Sequence, residues 1–185
     1  MATGATGKSL GSYAGAALLF ADLSRLENLD PGRVPTYLDL PGALRTTGPR
    51  FTFPSPTLCA LSAALDAYAT AEKSEERYEH YHRLGIYVRR QLRDLGLPPL
   101  ADEDCAAPVI TTFAPPRDES SEAFAARCHF WGYAIGGASG YLRERRLVQI
   151  ATMGAIRQED FAPLFERLEE TGRRQMADCG LQIAD

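Results

Sequence analysis

The feature that most constrains the fold is a regular series of helical and strand patterns in the second half of the chain. The first pattern predicts a helix over residues 74–95 that ends at Gly96. Its predicted buried face repeats at helical spacing and consists of Tyr78, Tyr81, Gly85, Val88, Leu92 and Leu95. The arginine-rich run over residues 89–93 indicates a solvated face of the same helix.

The patterns that follow predict a strand over residues 108–113, a helix over 121–131, and strands at 133–135 and 147–150. A final helix is predicted from about Gln158. This order predicts an α+β fold with a small, mostly antiparallel sheet that helices cover on one face. We therefore assign residues 73–185 to a C-terminal α+β domain.

The first part of the chain does not fit this domain and is predicted to be the end of another one. Residues 14–21 are small or apolar and predict a buried strand. Residues 41–54 are rich in proline and glycine and indicate a long loop, of the kind that is often functional. We assign residues 1–50 to the end of a large domain and residues 51–72 to a linking helix.

Composition excludes several classes of function. The 185 residues carry a net charge of -4, which does not favour nucleic-acid binding. No apolar run approaches the roughly 20 residues that span a bilayer. The four cysteines lie far apart without a CxxC pair, and His80 and His82 are two residues apart. We therefore expect a cytoplasmic protein with free thiols, without a metal site, membrane partner or nucleic-acid partner.

Lys8 is the first candidate for a chemical role. Only Lys8 and Lys73 are lysines among the 20 basic residues, and the rest are arginines. An amine can lose its proton when it is desolvated and then attack a carbonyl group, whereas a guanidinium stays charged. A flexible terminus is the simplest alternative. A phosphate-binding P-loop is rejected, because Ala2 stands where the motif needs glycine.

A second candidate is the start of the helix predicted after Thr52. Ser55 suits an N-cap and Pro56 the first helical position. Free N–H groups at a helix start, together with the hydroxyls of Thr52 and Ser55, would suit an anion such as phosphate. A simple helix cap explains the same residues equally well.

Three motifs in order carry a resemblance to a known family. They are a Thr-Gly-Lys turn before an apolar strand, Arg-Phe-Thr-Phe-Pro-Ser-Pro over residues 50–56, and Gln-Ile-Ala-Thr-Met-Gly over residues 149–154. Together they resemble the C-terminal half of class V pyridoxal-phosphate-dependent aminotransferases, the group of 2-aminoethylphosphonate–pyruvate and alanine–glyoxylate transaminases. The resemblance implies the C-terminal part of a fold-type I enzyme.

The resemblance also implies roles for single residues. Lys8 matches the lysine that binds pyridoxal 5'-phosphate covalently and moves the substrate proton, and Thr6 beside it joins the predicted cofactor-binding residues. Thr52 matches a threonine that reaches the cofactor phosphate of the neighbouring subunit in a homodimer. The implied substrates are a small amino donor and a 2-oxo acid.

Two departures from the family pattern limit these expectations. Gln149 stands where the family usually has an arginine that holds the substrate carboxylate, so Arg145 or Arg146 substitutes, the substrate differs, or transamination is lost. The residues that precede the lysine in the family are also missing. We therefore expect either one half of a split enzyme, which needs a separate N-terminal chain, or a non-catalytic binding or regulatory domain that keeps the fold.

Overall fold

The computed structural model describes residues 1–26, 29–30, 33–116 and 118–180, with side chains described up to residue 173. The chain forms two compact units, Met1–Ala69 and Thr70–Asp185. Each unit has its own small antiparallel sheet of two strands.

The first unit begins with a β-hairpin. Strand β1 (Ala2–Ala5) pairs antiparallel with β2 (Ala17–Phe20), and Ala5 lies opposite Ala17. Helices α1 (Leu40–Leu44) and α2 (Ser55–Leu65) follow, with short 3₁₀ turns at Leu23–Arg25, Thr36–Leu38 and Asp66–Tyr68. The predicted helix after Thr52 is confirmed, although Ser55 is its first residue and Pro54 its N-cap.

The prediction of a buried strand over residues 14–21 is wrong in its burial. The strand exists as β2, but Phe20 is 64% exposed and Leu19 is also exposed. Leu26 is the one buried hydrophobic residue among the described part of this unit. The described residues of this unit therefore form no hydrophobic core of their own. A two-stranded hairpin by itself is at best marginally stable in water.

The second unit contains the hydrophobic core. Its elements are α3 (Ala71–Asp94), β3 (Ile110–Phe113), α4 (Ser121–Phe130), α5 (Gly140–Arg145), β4 (Val148–Ala151) and α6 (Gln158–Gly180). Helix α3 begins at the Thr70 cap and ends where Gly96 adopts a positive φ of 72°. These elements confirm the predicted α+β fold.

The sheet of the second unit has one buried and one open face. Strands β3 and β4 are antiparallel, with Phe113 opposite Val148 and Thr112 opposite Gln149. Side chains alternate across the strands, and one face packs into the core while the other stays partly exposed. The core joins this face to three helices through Leu84, Val88, Leu92, Phe113, Phe124, Cys128, Val148, Ile150, Phe161, Leu164, Phe165 and Leu168.

The strand predicted at residues 133–135 does not form. Gly136 instead makes a single antiparallel bridge with Gln149, with both backbone hydrogen bonds at 2.8 and 2.9 Å. The chain then turns into helix α5, which the sequence patterns did not predict. Ser139 caps this helix by accepting a hydrogen bond from the Leu142 N–H. The capping hydroxyl therefore stabilises the start of this helix.

The predicted faces of helix α3 need two corrections. Tyr78 is 50% exposed, and Arg89, expected on the solvated face, is only 2% exposed. The Arg89 guanidinium donates to Glu103 Oε1 from Nε at 2.8 Å and from Nη2 at 2.5 Å, and to the Ala107 carbonyl at 3.3 Å. Arg93 donates to the other Glu103 oxygen at 2.6 Å.

Gly85 makes room for this buried arginine. A Cβ atom at Gly85 would lie 2.5 Å from the Pro108 carbonyl oxygen and 2.9 Å from Arg89 Nη1. Such distances are too short for any side chain, so the segment before β3 approaches α3 closely only because this residue is glycine. The predicted exposed face is wrong because Glu103 and the Ala107 carbonyl satisfy the buried charge.

The described cysteines are free, with Cys59 and Cys105 exposed and Cys128 buried, while the Cys179 side chain lies outside the described residues. Among the described residues, no group of three or more His, Cys, Asp or Glu side chains could hold a metal ion. No described helix is both long enough and apolar enough to cross a membrane.

We predict that Glu103→Gln lowers the free energy of unfolding by about 2 kcal/mol, because it leaves the Arg89 charge buried with a neutral partner. The cost stays below that of a fully buried pair since the Glu103 side chain is 42% exposed. Urea denaturation measures it, with Asp104→Asn in the same exposed turn as the matched control. Equal stabilities of the two variants would contradict this account of Arg89.

The same pair gives a pH dependence. The hydrogen bond from Arg89 holds the pKa of the Glu103 carboxyl below its usual value of 4.5. The stabilisation is therefore complete above the unfolded pKa and is lost as the pH falls through the lower folded pKa. We expect acid unfolding of the wild type to lose this contribution and the Glu103→Gln variant to show a correspondingly flatter acid limb.

Candidate functional site

The turn that carries Lys8 lies inside the β1–β2 hairpin, directly after β1. Thr6 is fully buried at its base. The Thr6 hydroxyl donates to the Tyr13 carbonyl at 2.7 Å, and its backbone N–H donates to the Ala16 carbonyl at 3.2 Å. The Ser12 N–H donates back to the Thr6 carbonyl at 3.1 Å. These bonds close residues 6–16 into a defined loop.

Close packing and a second element fix the same turn. A Cβ atom at Gly7 would lie 2.8 Å from Cα and Cβ of Ala14, so the two backbones approach as closely as glycine allows. The Tyr68 hydroxyl, from the 3₁₀ turn after α2, donates to the Ser9 carbonyl at 2.6 Å. The backbone on both sides of Lys8 is therefore held by hydrogen bonds or close packing.

Lys8 itself is exposed. Its carbonyl accepts a hydrogen bond from the Gly11 N–H at 2.8 Å, and Gly11 has a positive φ of 72°. The result is an accessible primary amine on a fixed backbone, although the desolvation that activates a lysine toward a carbonyl is not present at this exposed side chain. The alternative of an unstructured terminus does not describe this hairpin.

The loop before Thr52 is organised by a buried ion pair. Arg50 Nη1 lies 3.0 Å from Asp39 Oδ2 and also donates to the Asp39 carbonyl at 3.2 Å. The Gly42 N–H donates to Asp39 Oδ1 at 3.0 Å. The Gly42 N–H and the Arg50 guanidinium together hold the pKa of the Asp39 carboxyl below its usual value. A side chain at Gly42 would overlap both charged groups.

This ion pair supports the segment that presents Thr52. The Phe51 ring packs on Tyr37 with centroids 5.1 Å apart, and the Arg50 guanidinium lies over the Phe51 ring. Thr52 is exposed and lines a shallow cavity of about 260 Å³ beside Arg50 and Phe53. Thr52 thus offers a free-standing hydroxyl at a defined position. Ser55 makes no side-chain cap, so the predicted capping role of Ser55 is wrong.

The substrate candidates Gln149 and Arg145 lie in the second unit. Gln149 is on the open face of the sheet, half-buried, and its Nε2 donates to Thr112 Oγ1 at 3.0 Å. Arg145 is exposed at the end of α5 with its guanidinium over the Tyr141 ring, 4.6 Å from the centroid. Arg146 donates to the Pro116 and Glu119 carbonyls. Helix α5 ends at Arg145, and Arg146 is its C-cap.

The predicted site residues are thus divided between the two units. Lys8, Thr6 and Thr52 belong to the first unit, and Gln149 and Arg145 belong to the second. Sequence reasoning missed Tyr68, Asp39 and Thr112, which position the candidates. Tyr68 and Ser9 are 59 residues apart, so no local pattern could have joined them. Asp39 and Arg50 carry opposite charges at the two ends of a proline-rich loop, and this pattern could have predicted the ion pair between them.

We predict that Gly7→Ala loosens the lysine turn, because its Cβ would overlap Ala14. Overpacking of this kind costs about 1–3 kcal/mol. Hydrogen exchange of the Thr6 and Ser12 amides should accelerate by roughly tenfold or more. Gly4→Ala is the matched control, because its Cβ would make ordinary contacts at 3.8 Å with Leu18. Similar exchange in both variants would show that the Gly7 contact does not fix the turn.

No protein-family model matches the sequence. Curated relatives do match. The chain is 31% identical over 159 residues to 2-aminoethylphosphonate–pyruvate transaminase 2 of Paraburkholderia xenovorans, covering 82% of this chain and 42% of the relative. It is 30% identical over 121 residues to the 2-aminoethylphosphonate–pyruvate transaminase of Lysinibacillus sphaericus, covering 65% of this chain and 32% of the relative. The chain therefore spans less than half the length of these relatives.

Solved structures share the fold. An alanine–glyoxylate aminotransferase from Nostoc sp. superposes with a TM-score of 0.71 at 20% identity, covering 91% of this chain and 46% of that one. An aspartate aminotransferase from Thermus thermophilus gives a TM-score of 0.75 at 19% identity, covering 93% and 48%. A ureidoglycine–glyoxylate aminotransferase from Bacillus subtilis gives 0.71 at 22% identity, covering 93% and 46%. At these identities the likeness establishes the fold alone.

Proposed function

Because the chain is homologous to the C-terminal half of class V aminotransferases of the 2-aminoethylphosphonate–pyruvate transaminase group, we propose that it is the C-terminal part of a pyridoxal-phosphate-dependent aminotransferase. It would transfer an amino group between an amino acid or aminophosphonate and a 2-oxo acid, together with a polypeptide that supplies the N-terminal half. The observation that carries this proposal is Lys8, an accessible amine on a hydrogen-bonded turn in a chain with two lysines.

The described residues fit the chemistry of the cofactor. Pyridoxal phosphate, when bound, supplies the electron sink for cleavage of a bond at the amino-acid α-carbon. Lys8 would hold its carbonyl carbon through Nζ and then move the proton at the substrate Cα. Thr6 and Tyr68 would keep the Lys8 backbone in place during that transfer. The exposed Thr52 hydroxyl would donate to a phosphate oxygen, in a homodimer to that of the partner subunit.

Substrate binding is assigned to the open face of the second unit's sheet. Thr112 fixes the Gln149 amide by accepting one of its N–H groups. The amide can still offer its oxygen and a second N–H, but no charge. Hydrogen bonds with a charged partner are roughly twice as strong as neutral ones. We therefore expect Gln149 to hold a carboxylate or phosphonate more weakly than an arginine would.

The surface of the first unit supports a partner polypeptide. Large hydrophobic side chains stand exposed there, among them Tyr13, Phe20, Leu23, Leu38 and Leu44, each more than half exposed. We take them as the surface that a partner would cover, because contiguous exposed apolar surface marks protein contacts. The partner we propose is the N-terminal half that the relatives possess and that this chain does not span. The setting we propose is the cytoplasm, where the exposed Cys59 and Cys105 thiols stay reduced.

A second candidate function rests on the same glutamine. If the neutral Gln149 no longer holds a substrate acid, the chain is a non-catalytic binding or regulatory domain that keeps the aminotransferase fold. The two functions differ in whether the lysine reacts. Fold alone does not decide between them.

We predict that pyridoxal phosphate labels Lys8 when the N-terminal part of the Paraburkholderia xenovorans relative is added. Borohydride reduction would fix the label, and peptide mass spectrometry would locate it. Lys8→Ala should lose the label, and Lys8→Arg should not restore it, since a guanidinium does not form the bond. Lys73→Ala is the matched control, because Lys73 is the other lysine of the chain. Labelling of Lys73 in preference to Lys8 would refute the catalytic proposal and favour the binding domain.

We predict that Gln149→Arg lowers the KM for 2-aminoethylphosphonate or the acceptor acid by roughly tenfold, because a charged guanidinium with two parallel N–H donors replaces a neutral amide. The chain is assayed together with the N-terminal part of the Paraburkholderia xenovorans relative. Arg145→Ala should leave KM unchanged, since its guanidinium packs on Tyr141. Steady-state kinetics separates the two. A KM that rises in Arg145→Ala would show instead that Arg145 binds the substrate acid.

A further inference from the structure

A cavity of about 310 Å³ in the second unit shares Thr112 with the residues assigned to substrate binding, and its other lining residues take no part in that assignment. It lies where the segment before β3 passes helix α3. Its walls are mostly apolar and include Pro99, Leu100, Ala106 and Ile110, of which Leu100 is 68% exposed. The lining also includes the polar residues Arg89, Thr111 and Thr112, of which Arg89 and Thr111 are more than nine-tenths buried.

Both buried polar groups retain hydrogen-bonding capacity. Arginine has five N–H donors, and the Arg89 bonds to Glu103 and to the Ala107 carbonyl use three of them. Two donors of Arg89 thus remain without an acceptor among the described residues. The Thr111 hydroxyl is buried and has no hydrogen-bond partner in that same part of the chain.

An unsatisfied hydroxyl at this position is costly. Valine has nearly the same shape as threonine and suits a strand equally well, while a buried hydroxyl without a partner costs about 1–3 kcal/mol. Packing in the core therefore does not explain why residue 111 carries an oxygen. An acceptor supplied by a ligand in the cavity would explain both the Thr111 hydroxyl and the remaining Arg89 donors.

We propose that this cavity binds a short-chain aliphatic carboxylate. The carboxylate would accept hydrogen bonds from Arg89 and Thr111, and its alkyl chain would contact Pro99, Leu100 and Ala106. An acid suits Arg89 better than a neutral molecule, because a carboxylate can accept charge-assisted hydrogen bonds from the guanidinium donors that Glu103 and Ala107 leave unused. The proposal does not rest on the proposed transamination.

Cys105 gives a direct readout, because this exposed thiol also lines the cavity. The test uses the full chain with Cys59→Ser and Cys179→Ser, so that Cys105 is the reactive thiol. Burial raises the pKa of the Cys128 thiol to about 11, which keeps it unreactive near neutral pH. The rate of Cys105 modification by Ellman's reagent is measured with increasing millimolar hexanoate, and hexanamide is the uncharged matched probe.

Hexanoate should slow Cys105 modification in a saturable way, and hexanamide should do so at least fivefold less effectively. Thr111→Val should fold normally, because it removes only an unsatisfied hydroxyl, and should weaken hexanoate protection by about tenfold. Ala106→Phe, which fills the cavity, should abolish protection. Thermal unfolding confirms that each variant is folded.

Three outcomes would overturn the proposal. They are absence of protection by hexanoate, equal protection by hexanamide, and full protection retained in both folded variants. The first would show that the cavity binds no such acid, and the second that the charge of the ligand is not recognised. The third would place the hexanoate elsewhere on the chain.

Discussion

Burial of one face of the β3–β4 sheet is the constraint on which the second unit depends. Phe113, Val148 and Ile150 point into the core formed with α3, α4 and α6, and side chains on a strand alternate between faces. The neighbouring positions, among them Thr112 and Gln149, therefore face the other way. The burial of the core thus places the candidate substrate residue on the open face, where it pairs across the strands with Thr112.

The first unit depends on backbone hydrogen bonds and close approach instead of a core. Thr6, Gly7 and Tyr68 define the lysine turn, and the Asp39–Arg50 pair defines the loop that ends at Thr52. Neither the contacts of the lysine turn nor the Asp39–Arg50 pair buries much apolar surface, which agrees with the exposed hydrophobic side chains of this unit. The geometry of the lysine turn and of the Thr52 loop is therefore fixed by polar contacts and close backbone approach, and not by the burial of apolar side chains.

Helices with a clear apolar period were predictable from sequence. The α4 and α6 helices occur where Phe124, Cys128, Phe161 and Leu164 indicated them, because each buries one stripe against a common core. The predictions from sequence were wrong where a single polar contact affects the local structure or the burial of a side chain. Ser139 turns a predicted loop into the start of α5, and Glu103 draws Arg89 inside. A local sequence pattern does not identify the two partners of such a contact.

The sequence by itself determined which residues could do chemistry. A lone amine at Lys8, a hydroxyl at Thr52 and a neutral amide at Gln149 are properties of side chains, and they hold in any fold. The tertiary structure decided how these groups are held. Tyr68 and Ser9 are 59 residues apart, and Gln149 and Thr112 are 37 apart. Only packing and strand pairing bring such partners together, because hydrogen bonds act over about 3 Å, whereas sequence patterns report only on near neighbours along the chain.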